Sequence, residues 1–94
     1  MKEKQFKVRN AAGIHCRPSS VIINTINQEY PNNTFVIYSD ELPETELNGI
    51  LSLISLGLQC GAVATLQVEG PDEEEACIRI ADLLEYEFDF PQYK

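Results

Sequence analysis

The sequence is poor in positive charge, in histidine and in cysteine spacings that hold metals. It has 7 lysine and arginine residues against 15 aspartate and glutamate residues, and its formal net charge is −8. Without a basic stripe to neutralise phosphates, nucleic acid and anionic membranes are excluded as general partners. Cys16, Cys60 and Cys77 form no CxxC pair, so we expect reduced thiols and no metal site, with Cys60 and Cys77 as packing residues.

Long apolar runs are also absent. No run approaches the ~20 residues that span a bilayer, and residues 1–5 lack the apolar region of a signal peptide. We therefore expect a cytoplasmic protein. The 94 residues contain 44% hydrophobic side chains and neither an internal repeat nor a linker, which favours a single domain over residues 1–94.

The spacing of apolar side chains predicts the order of the elements. Period-two alternation predicts strands over residues 4–9, 34–38 and 62–69. Pro43 either restricts a further strand, 42–47, to an edge position or shortens it to 44–47. Helical spacing predicts helices over residues 17–29, over 49–55 with Asn48 as cap, and from Pro71 at a first helical position. The order βαββαβα predicts an α+β two-layer open-faced β-sandwich, with one polar sheet face and three helices on the other.

The stretch from Asn10 to Ser20 contains the only histidine, His15. Gly13 stands between strand and helix, where a positive φ or a close backbone approach requires glycine. Pro18 is tolerated in the first turn of a helix. His15 is therefore expected beside the unpaired N–H groups of a helix start, and Arg17 adds planar donors suited to phosphate oxygens. This combination predicts an anion that is formed or held on His15.

Two segments resemble those of a known family. Residues 10–18, NAAGIHCRP, resemble the active-site signature of HPr, the histidine-containing phosphocarrier of the bacterial phosphoenolpyruvate:sugar phosphotransferase system. Residues 49–57, GILSLISLG, are similar to the second motif of that family. The resemblance runs in register to about residue 85, with one short insertion between Tyr38 and Asn48. Residues 85–94 form an aromatic and acidic tail beyond the usual family end, either frayed or packed back as a strand.

The resemblance implies both a fold and an activity. HPr-like proteins have an antiparallel sheet in the order 1-4-2-3 under three helices. They accept a phosphoryl group from enzyme I, which phosphoenolpyruvate charges, and pass it to the IIA component of a sugar permease. Such a protein is a carrier rather than a turnover enzyme, is usually monomeric, and needs no cofactor of its own because phosphoenolpyruvate and Mg²⁺ act through enzyme I.

The resemblance also implies roles for individual residues. His15 would carry the phosphoryl group on Nδ1, and the Arg17 guanidinium with the backbone N–H groups of Cys16 and Arg17 would hold its oxygens. The expected partner interface consists of Ser20, Ile50, Leu51 and Ile54. The last three are divided between core and interface, because a helix this short cannot bury every apolar side chain.

The chain departs from the family pattern at three places. Gly49 stands where many relatives have a regulatory serine, so no phosphorylation is expected there. Asn24 and Asn27 replace lysines of the partner-facing side, which weakens electrostatic steering. Cys16 replaces alanine or threonine and is either a reactive thiol or a small residue. These departures leave an alternative function open, namely a regulatory binding module that acts by protein–protein interaction.

Overall fold

A computed structural model describes the backbone of residues 1–10, 13–14 and 16–86, and their side chains except that of Cys16. The elements are β1 (Lys2–Lys7), α1 (Cys16–Glu29), β2 (Thr34–Tyr38), β3 (Thr45–Glu46), α2 (Ile50–Ile54), β4 (Val63–Glu69) and α3 (Glu73–Glu85). The predicted βαββαβα order is confirmed. Within this part of the chain, no helix is long and apolar enough to cross a membrane.

The four strands form one antiparallel sheet in the order β1-β4-β2-β3. Strand β4 is central, and its residues pair with both neighbours: Val68 with Lys2 of β1 and with Phe35 of β2. Strand β3 pairs with β2 at the opposite edge. The strand order that the resemblance implied is confirmed.

The core lies between one face of the sheet and the helices. Alternate residues of β4 point into it, and Val63 on the other face is 48% exposed. The sheet and the helices contribute the following fully or almost fully buried side chains: Phe6, Phe35, Ile37, Ala64, Leu66 and Val68 from the sheet, and Ile22, Ile23, Ile26, Leu53, Ala76, Ile80 and Leu84 from the helices. Covering only one sheet face produces the open-faced two-layer arrangement.

The first strand is displaced from its predicted limits. Strand β1 ends at Lys7, so the buried Val8 follows the strand, although residues 4–9 were predicted as strand. Val8 remains tied to the neighbouring segment, because its N–H donates to the Ala62 carbonyl and its carbonyl accepts from the Gly61 N–H, each at 2.8 Å. The apolar face was predicted correctly, whereas the strand limit was not.

The starts of α2 and α3 also differ from prediction. Gly49, not Asn48, is the N-cap of α2, because the Ser52 hydroxyl accepts the Gly49 N–H at 3.2 Å and donates to its carbonyl at 2.7 Å. Pro71 precedes α3 instead of opening it. The N–H of Asp72, the N-cap of α3, donates to Asn33 Oδ1 at 3.0 Å, and this contact holds the preceding turn outside the helix.

The cysteines with described side chains differ from each other. Cys77 is buried as predicted, and its burial raises the pKa of its thiol above the ordinary value. Cys60 is exposed, which corrects its prediction as a packing residue. Cys60 lies in the loop before β4, where its thiol is 3.8 Å from the Arg9 carbonyl oxygen.

Helix α3 is attached to β1 at both ends. The Met1 ammonium lies 2.7 Å from Glu73 Oε2, and the Lys7 N–H donates to Glu85 Oε2 at 2.8 Å. The hydrogen bond from the N-terminal ammonium, followed by the bond from the Gly70 N–H, lowers the pKa of Glu73 below the ordinary value of 4.5. A lowered folded-state pKa stabilises the fold above the unfolded-state pKa, and the contribution is lost as pH falls through the folded-state value.

We therefore expect Glu73→Gln to lower the free energy of unfolding near neutral pH. The difference from the wild type should shrink as the pH falls from 4.5 through the lowered folded-state pKa, because the wild-type carboxyl then becomes protonated and loses its charge. Urea unfolding at a series of pH values measures this difference. Glu74→Gln, at an exposed neighbouring position, is the control, and a Glu73→Gln deficit that does not change with pH would contradict the assignment.

Candidate functional site

The candidate site is built at the start of α1. Helix α1 begins at Cys16, one residue before its predicted start, so its first N–H groups have no partner within the helix. Pro18 lies in the first turn, as predicted, and it is fully buried. His15, together with the side chain of Cys16, lies outside the described residues. Its role as phosphoryl acceptor, and the choice between the two readings of Cys16, stay predictions.

Gly13 meets both reasons for which a glycine was predicted there. Its φ is +76°, in the left-handed region that L side chains rarely adopt. A Cβ atom on Gly13 would lie 2.5 Å from the Leu58 carbonyl oxygen and 2.9 Å from the Gln59 Cα. The backbone two residues before His15 therefore runs directly against the loop that precedes β4.

That loop, residues 58–62, is here called the supporting loop. It holds the approach segment, residues 8–10 and 13–14, through backbone hydrogen bonds. The Ile14 N–H donates to the Leu58 carbonyl at 2.8 Å, and Val8 pairs with Gly61 and Ala62 at the other end. Since backbone atoms on both sides are fixed, the chain enters α1 from a defined position.

Arg17 is the exposed cation of the site. Among the described residues, no carboxylate lies within ion-pair distance of its guanidinium, and the first turn of α1 contains no acidic side chain. A guanidinium without a competing carboxylate can offer its planar donors to phosphate oxygens. The described residues contain no group of three or more histidine, cysteine, aspartate or glutamate side chains that could hold a metal ion.

Apolar side chains are exposed on the adjacent helices α1 and α2. Leu51 is 80% exposed and Ile50 37% exposed, Ile54 is half-buried, and Leu53 is in the core. Val21 of α1 is 37% exposed as well. We call Val21, Ile50, Leu51 and Ile54 the docking face. Of the three side chains that were divided between core and interface, Ile50 and Leu51 are thus exposed and Ile54 is half-buried, and their role in an interface stays a prediction.

Val21 was not among the residues predicted for the partner interface. The signal was present in the sequence: Val21 lies four residues after Arg17 and three before Asn24, and this spacing places all three on one helical face. All three are exposed in the structure. Ser20, which was predicted for the partner interface, is half-buried on α1.

The surroundings of the docking face are uncharged. The sequence has no charged residue from Pro18 to Gln28 or from Leu47 to Val68. Asn24 and Asn27, at the positions where the family resemblance implies lysines, are exposed and neutral. Among the described residues, Arg17 is therefore the one charged side chain on α2 and on α1 up to residue 28.

Gly49 begins α2 without a hydroxyl group. Its backbone is extended, with φ near ±180°, and a Cβ there would meet nothing within 4 Å. The nearby Ser52 hydroxyl bonds in both directions to the Gly49 backbone. Ser52, a residue of α2 itself, therefore caps the N-terminus of that helix.

An antiparallel 1-4-2-3 sheet with a candidate phosphoryl site at the start of the first helix is the arrangement of the HPr class of phosphocarriers. The family model for the "PTS HPr component phosphorylation site" matches residues 2–86. The chain is 35% identical over 85 residues to the phosphocarrier protein HPr of Mycoplasma pneumoniae, covering 90% of this chain and 94% of that protein. The chain belongs to the HPr family.

Solved structures support the same fold. The crystal structure of a phosphocarrier protein HPr from Bacillus anthracis matches with a TM-score of 0.78 and 24% identity, covering 89% of this chain and 96% of that one. Crh, a catabolite repression protein of Bacillus subtilis, matches with a TM-score of 0.66 and 25% identity, covering 89% and 93%. Proteins of this family in general interact with enzyme I and IIA components.

We expect Gly13→Ala to destabilise the protein by at least about 3 kcal/mol, because the left-handed backbone alone costs about 1–2 kcal/mol and the new methyl group must displace the Leu58 carbonyl. Gly57→Ala is the matched control, since Gly57 has φ +65° and open space around its Cβ position. It should cost about 1 kcal/mol. Equal losses in urea unfolding would show that the contact with Leu58 contributes nothing.

Proposed function

We propose that this protein accepts a phosphoryl group on His15 from enzyme I and passes it to a IIA component of a sugar permease. The observation that carries the proposal is the position of the sole histidine, which is bonded directly to the first residue of α1 within a family defined by its phosphorylation site. Helix starts bind anions through unpaired N–H groups and the positive end of the helix dipole.

The chemistry requires a neutral imidazole. A histidine with an ordinary pKa of about 6.5 offers an unprotonated ring nitrogen at cytoplasmic pH. Its lone pair forms the new nitrogen–phosphorus bond while the bond between phosphorus and the donor atom of enzyme I breaks and returns its electrons to that atom. In the transfer to the IIA component, an acceptor atom of that protein forms the new bond to phosphorus while the nitrogen–phosphorus bond of His15 breaks and its electrons return to the ring nitrogen.

The protein's own contribution is positioning and charge stabilisation. The exposed Arg17 guanidinium and the first N–H groups of α1 would neutralise the phosphoryl oxygens during transfer. Binding must stay moderate, because a carrier that held the group too tightly would not release it. Phosphoenolpyruvate and Mg²⁺ act through enzyme I, so the carrier requires no cofactor of its own.

The docking face supplies the protein contacts in this proposal. Leu51 and Ile50 are exposed on α2, which packs beside α1 and therefore next to the proposed phosphoryl site. Burying such side chains against a partner is favourable by about 1.5–3 kcal/mol each. Because the face is uncharged apart from Arg17, partner binding should depend on apolar contact more than on long-range attraction.

A regulatory binding module is the second candidate function. It is favoured by the similarity to Crh of Bacillus subtilis, whose name describes a catabolite repression protein. The neutral residues Asn24 and Asn27 on the partner-facing side also agree with a changed set of partners. The two candidates differ in one observable, because only a carrier gains a phosphoryl group and gives it away again.

The direct test incubates the protein with phosphoenolpyruvate, Mg²⁺ and enzyme I from the same organism. We expect a mass gain of one phosphate that is stable in base and labile in acid, as a phosphorus–nitrogen bond requires. After phosphoenolpyruvate and enzyme I are removed, the gain should disappear when an excess of a cognate IIA protein is added, and it should be absent from His15→Ala throughout. Mass spectrometry of the intact protein measures each step.

Two outcomes would reject the carrier. One is the absence of any mass gain with cognate enzyme I, and the other is a gain that persists in His15→Ala. A base-labile, acid-stable phosphate would instead locate the group on a hydroxyl side chain and favour the regulatory module.

Leu51→Ser tests the docking face. It removes the most exposed apolar side chain of α2 and should raise the KM for enzyme I about tenfold, with little change in stability. Ile78→Ser is the matched control, because Ile78 is 51% exposed on α3 and lies outside the docking face. Initial rates of phosphorylation by enzyme I, at a series of carrier concentrations, give the KM of each variant.

Salt dependence provides a second readout of the same face. Raising the ionic strength from ~0.05 to ~0.5 M should change the wild-type KM by less than about threefold. Salt screens charges, and Arg17 is the charged side chain that lies next to the docking face on α1. A KM that rises more than about tenfold with salt would show that charge, not apolar contact, controls docking.

A further inference from the structure

Two polar side chains are completely buried in the described part of the chain, and they flank the proposed phosphoryl acceptor. Asn10 and Ser19 both have 0% exposure. Asn10 lies five residues before His15, and Ser19 lies four residues after it. Burying an amide or a hydroxyl is unfavourable unless it forms hydrogen bonds, so each position needs a physical explanation.

Two hydrogen bonds join Asn10 to Gly13. Its side-chain Nδ2 donates to the Gly13 carbonyl at 2.8 Å, and the Gly13 N–H donates back to the Asn10 carbonyl at 2.9 Å. Both polar groups of the Gly13 backbone are therefore bound to the same residue. The Asn10 side-chain amide thus supplies the hydrogen-bond donor that the buried Gly13 carbonyl requires.

Gly13 is the residue at which the chain would otherwise be least restricted. Glycine has more backbone freedom than any other residue, and Gly13 is separated from His15 only by Ile14. The Leu58 carbonyl holds Ile14 from the side of the supporting loop. Asn10 restrains the same short segment from within the approach segment, so the peptide leading into His15 is held from two directions.

We infer that Asn10 is a positioning residue for phosphoryl transfer. Its role is to fix the Gly13 backbone, and through Gly13 the two residues that precede His15 in the sequence. This inference rests on the proposed function of His15. A small displacement of a reacting group costs about 10- to 100-fold in rate even when the change is remote from the reacting atoms.

Ser19 has no such contact. Its buried Oγ has no hydrogen-bond partner among the described residues. Replacing it with alanine removes an unsatisfied hydroxyl on the other side of residue 15 and breaks no described bond. Ser19→Ala therefore distinguishes the specific contact of Asn10 from the general effect of changing a buried polar residue near the site.

The test measures transfer from phosphorylated enzyme I to Asn10→Asp and Asn10→Ala, well below each variant's unfolding temperature. Asn10→Asp keeps the side-chain volume but, when ionised, cannot donate to the Gly13 carbonyl. Asn10→Ala avoids a buried charge and is used where Asn10→Asp does not fold. We expect the maximal rate to fall about 10- to 100-fold while the KM for enzyme I stays within about twofold of the wild type.

A second asparagine provides the matched control. Asn33 forms two side-chain bonds with Asp72, at 3.0 and 3.3 Å, beyond the far end of α1. Asn33→Ala loses bonds of the same kind far from His15, so it should lower stability and leave the maximal rate within about twofold of the wild type. Ser19→Ala should do the same for rate, without loss of stability.

The outcomes separate the two proposals. A wild-type maximal rate in folded Asn10→Ala would overturn the positioning role and leave the carrier function intact. A rate loss that is equally large in Asn33→Ala would overturn it too, because destabilisation alone would then be sufficient. A wild-type protein that takes no phosphoryl group from enzyme I would overturn both.

Discussion

The hydrogen bond from the Ile14 N–H to the Leu58 carbonyl is the constraint on which the site depends. Beside it the two backbones lie so close together that only glycine fits at position 13, where φ is +76°. Ile14 is thereby held two residues before α1 begins. The site is therefore positioned by backbone contacts between two segments that are distant in sequence, and the surface side chains around it can vary without moving it.

In the proposed function, chemistry and recognition are assigned to different parts of the same surface. The first turn of α1 and Arg17 offer donors suited to an anion, whereas Val21 and α2 offer uncharged apolar contact. In many charged interfaces, electrostatic attraction accelerates encounter and also selects the partner. On a surface with few charges, selection must come from shape and from the burial of a few side chains. Such a division is consistent with a carrier that must release each partner after a brief encounter.

The sequence pattern was informative where local rules decide the structure. Period-two alternation located β2 and β4, and the demands of a tight turn located Gly13. The pattern gave wrong limits where a contact with a residue distant in sequence determines the start of a helix. The start of α3 depends on Asn33, which is remote in sequence, and no helix-start rule includes such a contact. The buried position of Asn10 was equally hidden, because an asparagine three residues before a glycine is typical of an exposed turn.

The supporting loop also determines when the site can exist during folding. The contacts that hold the approach segment join Val8 to Ala62 and Ile14 to Leu58, and both pairs close long stretches of chain. Non-local contacts of this kind form slowly and only once the chain ends have met, because loop-closure entropy must be overcome first. A growing or partly folded chain that has not yet paired β4 with β1 contains the complete HPr signature and still lacks the geometry of the site. Competence to carry a phosphoryl group would thus arise with the completed sheet and would report that the whole domain has folded.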